Sequence, residues 1–128
     1  MSYYFAKKVD FTFEETIEKI TENLKEVGFG ILTEIDVKAT MKKKLDVDFR
    51  QYKILGACNP QFAYKALTAE DKIGVLLPCN VIVQETQDQK VEVAIMNPME
   101  AMSVVKNESL GSIAGEVNIM LESALSKL

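Results

Sequence analysis

Apolar residues first recur on alternate positions, at Tyr3, Phe5 and Val9, the period of a strand with one buried face. The pattern then changes. Thr12-Phe13-Glu14-Glu15 reads as a capping box, in which Thr12 accepts from a free amide and Glu15 returns to the Thr12 amide. Phe13, Ile17, Ile20, Leu24 and Val27 follow at spacings of four and three, which puts them on one face of a helix that Gly28 ends. Phe29 to Val37 is rich in β-branched residues and predicts a second strand, Ala39 to Leu45 a short amphipathic helix, and Tyr52 to Ala57 a third strand. Asn59 and Pro60 are a good N-cap and first helical residue for a helix carrying Phe62, Ala63, Ala66 and Leu67, ending near Ala69.

Ile73 to Glu85 predicts a long strand broken at Pro78, which lacks a ladder donor and so implies an edge or a bulge. Asp88-Gln89 is a hairpin turn and Val91 to Met96 the partner strand. Asn97-Pro98 repeats the cap-then-proline signal for a short helix with Met99 and Met102. A wide apolar stripe from Leu110 to Leu128 predicts a final helix. The order β-α-β-α-β-α-β-β-α-α, with short connections and no linker, predicts one α+β domain over residues 1–128. The expected architecture is a two-layer sandwich, a mixed five-stranded sheet with helices mostly packed on one face. Ile54 to Asn59 and Val75 to Asn80 echo one another, but the echo is too short to mark a duplicated unit.

Composition agrees with one self-sufficient core: 128 residues, 48% apolar and 27% charged. The net charge of -4 disfavours a nucleic-acid partner. The one lysine run, Lys42 to Lys44, is followed by Asp46 and Asp48 and reads as a solvated helix face. No basic-then-apolar leader and no long apolar stretch is present, so a cytoplasmic protein without membrane contact is expected. Its two cysteines are then expected as reduced thiols.

The absence of histidine excludes a Ser-His-Asp or Cys-His arrangement within one chain, and the dispersed glycines carry no phosphate-binding loop. Cys58 stands before a predicted helix start, where free amides favour thiolate, although a small apolar side chain at a strand end also serves as ordinary core. Cys79 shares a strand face with Val81, Val83 and Glu85. Were the two cysteine-bearing strands neighbours, Cys58, Asn59, Cys79, Asn80 and Glu85 could converge on one cleft. Met96, Met99 and Met102 offer soft sulfur for Cu(I) but read first as gap-filling core, so no metal site is assigned and the cofactor is unknown.

In combination, Ile35-Asp36-Val37-Lys38, Ile54-Leu55-Gly56-Ala57-Cys58-Asn59-Pro60, Ala63-x-x-Ala66-Leu67, Ile73-Gly74-Val75-Leu76-Leu77-Pro78-Cys79-Asn80-Val81 and Glu85 resemble domain-of-unknown-function family 302 over essentially the whole chain. The resemblance implies a two-layer fold of the TT1751-like type and a homodimer, with no established reaction. It points to Cys58, Asn59, Pro60, Pro78, Cys79, Asn80 and Glu85 as ligand-binding residues. The expected function is a non-enzymatic small-ligand-binding or sensing domain with its pocket at the two Cys-Asn strings. The alternatives are a thiol redox protein or enzyme using Cys58 and Cys79, and a structural or adaptor homodimer.

Overall fold

The computed structural model describes residues 2–128. Strand β1 (Tyr4–Val9) leads into helix α1 (Phe13–Glu26), and β2 (Gly30–Asp36) into α2 (Val37–Leu45). Strand β3 (Tyr52–Cys58) runs into α3 (Pro60–Ala69), and a short 3-10 helix (Asp71–Leu76) precedes β4 (Cys79–Glu85). The hairpin partner β5 (Val91–Met96), the single turn α4 (Pro98–Ala101) and the long α5 (Glu108–Ser126) complete the chain.

Local chemistry sets most of these boundaries. The capping box forms as read: the Glu15 amide donates to Thr12 Oγ1 at 3.1 Å and the Thr12 amide to Glu15 Oε1 at 3.3 Å. Gly28 leaves α1 at φ 88°, a conformation that only glycine adopts without strain. The α1 stripe buries Phe13, Thr16, Ile20 and Leu24, and the Thr16 hydroxyl is satisfied by the Thr12 carbonyl at 2.7 Å.

The five strands form one sheet in the order β1-β5-β4-β3-β2. Every neighbouring pair is antiparallel, not mixed as the alternation of strands and helices suggested. The reason lies in the connections. The segments after β2 and β3 bring the chain back at the end where it left, and α1 carries it from one sheet edge to the other. β1 and β2, which run the same way, therefore never meet.

Register aligns the core in rows across the sheet: Leu55 opposite Val81, Val81 opposite Ile95, and Ile95 opposite Phe5. Cys79, Val83, Val91 and Val93 stand on the same face, and Ile20, Leu24, Val117, Leu121 and Ala124 cover it from α1 and α5. Each such fully buried aliphatic side chain contributes roughly 1.5–3 kcal/mol. The opposite face carries Ile54, Ile82 and Ala94 in one row, all only half-buried, and α2 buries no residue.

The segment before Pro78 departs from the strand reading. Ile73 donates to the Glu70 carbonyl and Leu77 to that of Gly74, and Ile73 is buried beside Ala66 and Leu110. A four-residue apolar run has no period long enough to separate a strand from a helical turn, and burial of Ile73 favours the turn. Pro78 sits directly ahead of β4 after a cis bond. The bulge lies in β2, where register shifts between Ile31 and Thr33. Among the described residues no helix is long and apolar enough to cross a membrane.

Candidate functional site

Two Asn-Pro helix starts lie at the same end of the sheet. Asn59 Oδ1 accepts the amides of Gln61 at 3.2 Å and Phe62 at 3.4 Å, and Asn97 Oδ1 those of Met99 at 3.1 Å and Glu100 at 3.3 Å. These caps fix how α3 and α4 leave β3 and β5. Asn107, the cap of α5, also donates to the Ala69 carbonyl at 2.9 Å and so ties the start of α5 to the end of α3.

The elements held this way enclose an apolar cavity of about 350 Å³. The sheet supplies Ala57, Cys58 and Cys79. The α3 wall is Phe62, Ala63, Ala66 and Leu67, and the α5 wall Leu110, Ile113, Ala114 and Val117. Small residues at the inward positions of both helices leave this space unfilled. The bulge makes Leu32 an extra residue in β2 and aims it at the cavity, while Thr33 pairs with Gly56. Leu32 is 68% exposed and Leu67 44%, so these two stand at the mouth.

The two cysteine-bearing strands are neighbours, with Ala57 opposite Cys79. Cys58, Asn59, Pro78 and Cys79 all line the cavity. Pro60 starts α3 and is exposed outside it, and Asn80 is exposed on the opposite sheet face, across from Gly56. Glu85 shares the face of Cys79, as alternation requires, but lies six residues along β4, roughly 20 Å away. Neither Asn80 nor Glu85 joins the cleft.

Both thiols are free, Cys79 buried and Cys58 half-buried. Burial, with the nearby Cys58 as a smaller cause, pushes the Cys79 thiol from an ordinary 9.0 up to about 11. Cys79 therefore stays protonated at neutral pH and offers no thiolate for exchange. The amides of Gln61 and Phe62, which were expected to surround the Cys58 sulfur, are taken by Asn59 Oδ1.

Sequence reasoning missed the α5 wall, Leu32, Gly74 and Met102. The available signal was the set of small residues Ala63, Ala66 and Ala114 on inward helix positions, which a filled core would replace with larger ones.

No curated protein matches the chain. A solved structure described as the crystal structure of an uncharacterized conserved DUF302 protein from Bacillus stearothermophilus is 27% identical, with a TM-score of 0.92 over 99% of this chain and 98% of that one. The family model described as domain of unknown function DUF302 matches residues 5–128. The chain belongs to the DUF302 family.

Proposed function

We propose that the domain binds a small apolar molecule in the cavity between β3, β4, α3 and α5. The observation that supports this reading is a cavity of about 350 Å³, within the size range of ligand sites, walled almost wholly by carbon and open at Leu32 and Leu67. A close-packed domain has no structural use for such a space. Among the described residues the walls hold no charged side chain, which argues for binding or sensing rather than turnover. Two free cysteines suit a reducing compartment such as the cytoplasm.

The test is a thermal shift with decanol. Decanol raises the melting temperature of the wild type in a saturable way, and Ala114→Leu, which fills the cavity from α5, removes that response. An equal response in both proteins contradicts the proposal.

A second reading, a homodimer, is favoured by the half-buried row of Ile54, Ile82 and Ala94 on the sheet face away from α1 and α5. Sedimentation tests it: a dimer that Ile82→Lys converts to monomer supports it, and a wild-type monomer refutes it.

A further inference from the structure

We propose that the ligand is an acyl compound, its hydrocarbon chain in the cavity and its carbonyl or carboxylate oxygen accepting a hydrogen bond from Asn59 Nδ2. The inference rests on the small-molecule reading above and adds the chemical class.

Among the described residues whose side chains line the cavity, only Cys58, Asn59, Cys79 and Met102 carry a side-chain heteroatom, and in three of them it is sulfur. A sugar, a nucleotide or a zwitterionic amino acid would surrender its hydration there with almost nothing in return. A hydrocarbon chain has no such loss and gains from burial. The deep part of the ligand is therefore hydrocarbon.

Asn59 supplies the single directional contact. Its Oδ1 is committed to the amides of Gln61 and Phe62, which fixes the orientation of the side-chain amide. Its Nδ2 donates to no acceptor among the described residues. The group lies over Gly28, where a Cβ would stand 2.9 Å from Nδ2, so the bare Gly28 backbone leaves it room. Asn59 is half-buried and lines the same cavity as the exposed Leu32 and Leu67. An unpartnered N–H donor on a residue that lines an apolar space suits a chain that ends in an acceptor oxygen with its remaining polar atoms in water.

Asn59→Asp tests this without removing the helix cap, because a carboxylate accepts from the same amides. Calorimetric titrations with decanoic acid and with decanol are compared for wild type and variant. The wild type binds both. In Asn59→Asp the affinity for decanoic acid falls about ten-fold or more, because the donor is lost and two carboxylates face one another, while decanol is retained by donating to the introduced carboxylate. The neutral Asn59→Ser, which also caps, separates the lost donor from the repulsion. If decanoic acid binds both proteins equally, Asn59 does not read the head and the acyl assignment fails, although the apolar cavity reading survives. If neither compound binds the wild type, both fail. Should the aspartate variant unfold, Asn59→Ser still loses affinity for decanoic acid through the missing donor.

Discussion

The ring of Pro78 occupies the space that a side chain on Gly56 would need: a Cβ there would stand 2.7 Å from Pro78 Cγ and would also run into the Thr33 hydroxyl. Three elements thus meet over one glycine, namely the bulged β2, the middle of β3 and the entry to β4. Gly56→Ala should destabilise the fold by about 1–3 kcal/mol, the usual cost of overpacking. Adding Thr33→Ala to it should recover part of that loss, because one of the two obstructions is gone. Urea denaturation of the two single variants and the double variant checks this, and simple additivity would show that the contact carries no strain.

Cys79 makes stability fall in alkali. Its thiol ionises near 9.0 when unfolded and near 11 when folded, so between these values the unfolded chain releases a proton that the native protein keeps. The contribution is fully present below pH 9 and is lost as pH rises to about 11, amounting to about 2–3 kcal/mol. Chemical denaturation at several pH values should therefore give a steeper alkaline decline for wild type than for Cys79→Ala. Parallel curves would mean that the thiol is not held protonated by burial.

Asn97 is a buried cap with both ends of its side chain used, since Nδ2 also donates to the Ser2 carbonyl at 3.2 Å. Asn97→Ala should cost about 1–2 kcal/mol, and more than Asn97→Asp, which keeps the acceptor for Met99 and Glu100. Melting temperatures of the two variants separate these cases. Equal losses would shift the importance from the cap to the Ser2 contact.

Filling the cavity should stabilise the empty protein. Ala66→Leu places carbon against the apolar wall opposite Leu110, in space that already exists, and should raise stability by about 1 kcal/mol while abolishing the decanol response. A large loss of stability would mean that the space at Ala66 is not open.

These relationships were legible from the chain to unequal degrees. Caps were readable because Thr12 with Glu15, Asn59 with Pro60, and Asn97 with Pro98 act within four residues. The α1 and α5 stripes were readable because burial imposes the helical period. Strand pairing was not, since nothing local in Phe29 to Val37 says that β2 lies at the far edge from β1. The site was half legible. Cys58, Asn59, Pro78 and Cys79 fall together because they flank strand ends that neighbour each other. Glu85 was misplaced because alternation reports which face a residue takes and not how far along the strand it lies. Leu110, Ile113 and Val117 looked like ordinary core, and only the tertiary arrangement reveals that their stripe also walls a cavity.

The measurement that tests the central claim most directly is a heteronuclear NMR titration of the wild-type protein with decanol. Binding in the cavity predicts saturable shifts of the Ala57, Cys58, Ala66 and Ala114 amides, with Ile54, Ile82 and Ala94 on the opposite sheet face unmoved. Shifts centred on Ile54, Ile82 and Ala94, or none at either place, would contradict it.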